Sequence, residues 1–258
     1  MEMPPARRHR PRFSLRSLFL AFLILSVVLG LARAFSLSMR GAHDAARRVS
    51  CSGQLCQLAV AIRSYHDVYG TLPPAVVCDE EGRPQHSWRV LLLPYLDAGD
   101  IYAEYRFDEP WDGPRNRRLA ARMPAVYRCP SASDRRAPWT NFVVVVGPET
   151  PFPGAETMRL EEIQDAPDTI LFAEVADSRI HWMEPRDLNL ATMNLRINAA
   201  GKPAISSAHR GGAHVGTIGR CSGRFLLNST PPGHVRAWLT RTAGDDPVLT
   251  EPLTGTSQ

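Results

Sequence analysis

Residues 10–35, RPRFSLRSLFLAFLILSVVLGLARAF, form the one strongly apolar stretch of the chain, and arginines bound it on both sides. The sixteen uncharged residues between Arg16 and Arg33 make about 24 Å of helix, against a hydrocarbon core of about 30 Å. The run spans if Arg16 and Arg33 snorkel and Phe13 and Phe35 lie at the two interfaces. Beyond it Ala42, Ala45, Ala46, Val49, Leu55, Leu58, Ala59, Ile62, Tyr65 and Tyr69 recur mostly at steps of three and four, the helical period. No proline interrupts residues 12–72, and Gly70 stands where a C-terminal cap would, ahead of Pro73 and Pro74. The pattern predicts an apolar helix flowing into an amphipathic one.

Further along, HSWRVLLLPYLDAGDIYAEYRF predicts a helix from about 88 to about 105, capped by Ser87 and disturbed at Pro94 and Gly99. A short helix at 115–121 sits in proline-rich loop sequence. NFVVVV (141–146), DTILFAEV (168–175), AHVGTI (213–218) and GRFLLN (223–228) are β-branched and apolar enough for core strands, and the last two suggest a hairpin across GRCS. A helix at 232–241 precedes a polar tail. Helix first and strands after predicts an α+β fold. The layout expected is a basic cytoplasmic tail (1–16), a transmembrane helix (17–39), an amphipathic stem helix (40–70), an extracytoplasmic globular domain (71–243) and a disordered tail (244–258).

Charge changes the picture only at the N-terminus. The formal +4 of the 258-residue chain is carried by Arg7, Arg8, Arg10, Arg12 and Arg16 against Glu2, and the remainder is neutral. A basic tail beside an apolar run reads as topology information, with the N-terminus inside and the body outside a cytoplasmic membrane. No nucleic-acid partner is expected. The alternative is a signal peptide cleaved after Ala34, in the small-x-small stretch Ala32-Arg33-Ala34, which would release an exported polysaccharide- or ligand-binding module.

Cys51, Cys56, Cys78, Cys129 and Cys221 contain no CxxC pair and no His/Cys spacing typical of zinc, so no metal and no cofactor is expected. Outside the cytoplasm Cys78 and Cys129, both in proline-rich sequence, could be bridged, or could stay as thiols. His209, His214 and His181 with Glu184, Asp177 or Asp187 compose a site on paper only. His209 and His214, five apart, fall on opposite faces of a strand. HExxH, GxSxG, a Walker loop and a glycine-rich dinucleotide turn are all missing, and no catalytic residue is expected. HWMEPRDL, with His181, Trp182 and Glu184, has the composition of a ligand-facing loop, while Trp182 also suits packing at a sheet edge.

The stretches AARRVSCSGQLCQLAVAIRSYHDVYGTLPPA, HSWRVLLLPYLD, YRFDEPWDGPRN, YRCPS, DTILFAEV and ISSAHRGGAHV resemble a family of unknown function abundant in planctomycete bacteria. That family has a prepilin-like N-terminus and a C-terminal His-x9-Asp-Gly signature, and is described as prepilin-processing-associated. The resemblance implies an envelope protein related to type II secretion pseudopilins or type IV pilins, with a long N-terminal helix packed on a small, mainly antiparallel sheet. Its partners would be membrane lipid and envelope or secretion-system proteins, with oligomerisation open. Phe13 matches the prepilin aromatic, but Arg12 stands where the processed glycine belongs and Ser17 where the glutamate belongs. His209 opens the C-terminal signature, and Gly219-Arg220 replaces its Asp-Gly.

Overall fold

Helix α1 runs unbroken from Leu15 to Tyr69, as the absence of proline allows. It stops at Gly70, whose φ of +74° is a left-handed cap conformation and whose N–H donates to the His66 carbonyl at 2.7 Å. The structure, a computed structural model, describes residues 15–132, 134, 136–163, 168–218 and 223–241. Arg12, Phe13, Gly219, Arg220, Cys221 and the 244–258 tail lie outside them, as does the Ser17 side chain. The chain divides into two compact units, Met1–Ala46 and Arg47–Gln258.

In the first unit the apolar side chains are exposed on every side of the helix, consecutive positions Leu18, Phe19 and Leu20 included. This part of α1 is long and apolar enough to cross a membrane. In the second unit one stripe of α1, Cys51, Leu55, Leu58 and Ile62, is buried in the core. Its spacing is that of a single helix face.

After α1 come β1 (Val76–Cys78), β2 (Pro84–Ser87), α2 (Trp88–Leu91), α3 (Gly99–Glu104), β3 (Phe142–Val143) and β4 (Val145–Val146). Then follow β5 (Ile170–Glu174), β6 (Leu188–Asn189), β7 (Gly212–Thr217), β8 (Arg224–Leu227) and α4 (Pro232–Leu239). The main sheet has the order β3-β5-β7-β8, antiparallel throughout. This α+β arrangement agrees with the order of patterns in the sequence.

Alternation sorts the sheet's side chains into two cores. Phe142, Val144 and Phe172 pack with the α1 stripe. Val143, Ala173, Ala213 and Val215 pack with Val235, Trp238 and Leu239 of α4. A register shift between Ile170 and Phe172 accounts for Leu171 and Phe172 sharing one core while Ile170 joins the other. The helix approaches β7 closely because Gly216 and Gly223 lack side chains: a Cβ on Gly223 would sit 3.0 Å from Leu55 Cδ1 and 3.2 Å from the Ser52 Cα.

The structure departs from the sequence patterns in three places. The helix expected over 88–105 is broken into α2, a 3-10 turn at Leu93–Tyr95 and α3, because Pro94 cannot donate into a continuous ladder. The sequence ahead of it holds a hairpin, β1 with β2, closed through Asp79–Gly82 with Gly82 at φ +78°. The strand expected over 141–146 is two strands in different sheets, with β4 pairing parallel to β6. Between them the Val144 N–H donates at 3.0 Å to Asp187 Oδ1 rather than to a neighbouring strand.

Asp187 is the buried counter-ion of Arg89. The two are 2.5 Å apart, and their side chains are 2% and 0% exposed. Arg89 also donates to the Phe142 carbonyl through Nε (3.2 Å) and Nη2 (3.1 Å), and the Trp88 indole N–H donates to Asp187. Burial pushes the Asp187 carboxyl up, and Arg89 with the Val144 and Trp88 donors offsets this only in part, so it stays above the usual aspartate value.

Two measurements test this packing. Gly212→Ala would put a Cβ 2.0 Å from the Leu226 carbonyl oxygen, and should cost stability toward the upper end of about 1–3 kcal/mol, read from the denaturation midpoint. Arg89→Met leaves Asp187 buried without its cation and should cost about 3–5 kcal/mol at neutral pH. That deficit should narrow on acidification. The folded value of Asp187, already raised, rises further without Arg89, and below it the folded state takes up a proton and buries a neutral acid. A deficit independent of pH would contradict this account.

Candidate functional site

Strand β5 ends on an acid. Ile170–Glu174 is buried at all five positions, and Glu174, two residues beyond Phe172, shares its face toward α1. On the neighbouring strand His214 lies between Ala213 and Val215, which face the α4 core, so its ring also points toward α1. Cys51 reaches the same place from the buried stripe of the helix. The fourth member, His209, precedes β7, in a loop that Gly211 turns at φ +87°. That turn overrides the strand periodicity: the His209 and His214 rings meet edge to face with centroids 5.0 Å apart, instead of lying on opposite faces.

One donor atom from each of Cys51, Glu174, His209 and His214 falls within 4.8 Å of the others, and all four residues are buried. Glu174 Oε2 accepts the His214 backbone N–H at 3.1 Å and lies 3.4 Å from His214 Nδ1. Its other oxygen, Oε1, is buried with no hydrogen-bond partner. Around the cluster, Cys129 Sγ stands 3.5 Å from His209 Nε2 and Ser131 Oγ 3.4 Å from His209 Nδ1. The Ser207 hydroxyl accepts the His209 N–H at 3.0 Å. Arg48 donates to the Arg210 carbonyl and lies 4.7 Å from the centroid of Phe225, whose ring meets His214.

The electrostatics follow from burial and from these neighbours. Interaction with Cys51 brings the Cys129 thiol down to about 7, against the opposing effect of burial and with help from His209. The Cys51 thiol moves up, by its bond to Cys129, by burial and by the Glu174 charge. Burial would raise the Glu174 carboxyl, but His214, Cys129 and Ser207 together hold it below the ordinary glutamate range. His209 is raised by its bond to Cys129 and by Glu174, against burial. Two thiols, two imidazoles and a carboxylate converge here, a set suited to a borderline-soft metal ion or to thiol chemistry. Cys129 also lines a cleft of about 520 Å³ with Gln54, Met123, Arg128 and Pro130.

Other residues singled out by the sequence do different work. Cys78 and Cys129 are both free thiols. Cys78 belongs to the β1–β2 hairpin while Cys129 is turned inward to His209, so they form no bridge. Cys56 is disulfide-bonded. Trp182 is fully buried, with its indole N–H donating to the Ala120 carbonyl at 3.1 Å, and so presents no aromatic face to a ligand. His181 packs on Trp111 with centroids 5.1 Å apart, and burial lowers its pKa. Glu184 pairs with Arg186 and accepts the His181 backbone N–H. These three are packing and loop-closure residues. Asp177 pairs with Arg179, and Asp187 with Arg89.

Sequence spacing missed Cys51 and Glu174. The available signal was chemical: an acid inside ILFAEV and a cysteine on an apolar helix stripe, each costly or unexplained unless partnered. If Trp182 is packing, Trp182→Ala should lower stability by about 3–5 kcal/mol, measured by denaturant unfolding. A near-neutral result would return it to the surface.

No curated protein and no solved structure matches the chain. Cys51 and Cys129 fall inside the segment that does find a match, and Glu174, His209 and His214 lie beyond it. Residues 40–163 are similar to a family described as a protein of unknown function (DUF1559).

Proposed function

We propose that this chain is a membrane-anchored, non-enzymatic envelope protein whose body lies outside the cytoplasmic membrane and acts by protein–protein contacts, as pseudopilins and type IV pilins do. The observation that carries the reading is the change in burial along α1. Residues such as Phe19, Phe22 and Leu31 are exposed apolar side chains, more than half accessible, and a lipid environment would cover them. Cys51, Leu55, Leu58 and Ile62 instead bury a single stripe in the body's own core.

Two further features agree with this topology. The arginines of the first sixteen residues favour a cytoplasmic N-terminus. The disulfide at Cys56 suits a body in an oxidising compartment.

The test is the intact mass and N-terminal sequence of the protein recovered from carbonate-washed membranes and from the soluble envelope fraction of its host. A chain starting at or near Met1 in the membrane fraction is the expected result. A start at Phe35 in the soluble fraction would make residues 1–34 a signal peptide and refute the anchor.

A further inference from the structure

We propose that Cys51, Glu174, His209 and His214 form a closed zinc centre that clasps helix α1 to strands β5 and β7. A thiolate, a carboxylate and two imidazoles are zinc ligands, and four protein ligands with no open position make a structural site. One Cys51 thiolate and one Glu174 carboxylate balance the charge of Zn²⁺ with both imidazoles neutral. The centre as a whole is then neutral, which its burial demands.

Glu174 is 1% exposed, and its Oε1 has no hydrogen-bond partner. A buried carboxylate oxygen left unpaired is costly, and a cation among these four residues satisfies it. Calcium and magnesium are unsuited, since they take six or more oxygens or keep several waters.

Donor atoms within 4.8 Å of one another need to close to the edges of a zinc tetrahedron, about 3.3–3.7 Å for bonds of about 2.0–2.3 Å. Side-chain torsions supply that movement, while the backbone positions come from a helix, two paired strands and a glycine turn. Cys129, beside His209, is the second thiol at the rim and lies outside the four ligands.

Binding would release the Cys51 thiol proton to solvent and change no oxidation state, so the test reads metal and thiol directly. The full-length chain, purified in detergent, is exposed to zinc, desalted and analysed for all transition metals. About one zinc per chain is expected in the wild type and in Cys78→Ser. Cys51→Ser, Glu174→Gln and His214→Gln should each weaken zinc at least a hundredfold in a chelator competition.

Should those variants fail to fold, the wild type still decides. Cobalt substitution should give tetrahedral d–d bands with a thiolate charge-transfer band, and Cys51 should resist alkylation until chelator is added. Background metal in the folded, zinc-exposed wild type overturns the proposal. So does iron in place of zinc, zinc retained at full affinity in folded Cys51→Ser and His214→Gln chains, or a Cys51–Cys129 disulfide in non-reducing peptide maps.

Discussion

The buried pairing of Arg89 with Asp187 is the interaction on which the rest of the body depends. A guanidinium and a carboxylate with almost no solvent contact are tolerated only when most of their hydrogen-bonding capacity is used. Here the Arg89 donors reach the Phe142 carbonyl and Ser87 Oγ, and the Asp187 oxygens take the Trp88 indole and the Val144 N–H. One ion pair therefore fixes α2, the strand region at 142–146 and the loop leading into β6. It also explains why a run of valines is cut into two strands: the carboxylate occupies the N–H that would have continued the first.

With that region held, the main sheet can present different surfaces to its two cores. The face toward α4 packs apolar side chains around Val143, Ala173 and Val215. The face toward α1 is aromatic at Phe142 and Phe172 but carries Glu174 and His214 at its end. Glycines at 216 and 223 let Leu55 of the helix approach the strands closely. That approach is what brings Cys51, one turn earlier in the helix, over the polar end of the sheet. Helix packing and the thiol-histidine-glutamate cluster are thus consequences of the same close contact.

The two units of the chain meet opposite solvation problems with one helix. Between Arg16 and Arg33 the large apolar side chains are exposed on every side of the helix, and the helix is long and apolar enough to cross a membrane. After Arg47 a single stripe is buried and the other faces are largely polar. The similarity to a family of unknown function begins at residue 40, close to this change.

The sequence alone determined what depends on neighbours along the chain. Helical spacing of Leu55, Leu58 and Ile62, the lack of proline to residue 72, the apolar run before Arg33 and the β-branched segments at 141–146 and 168–175 follow from local sterics and side-chain period, and the structure contains their counterparts. The cluster was not legible in this way. Its donors come from residues 51, 174, 209 and 214, and no spacing rule connects a helix stripe, a strand end and a glycine-turned loop. Reading His209 and His214 as opposite strand faces failed because the strand begins only at Gly212, after Gly211 has reversed the chain. The Cys78–Cys129 pairing failed for a related reason, since loop composition says nothing about which way a cysteine points. Only the tertiary structure decided which polar side chains share a buried volume, because the burial that makes such a group chemically consequential is a property of packing between segments distant in the chain.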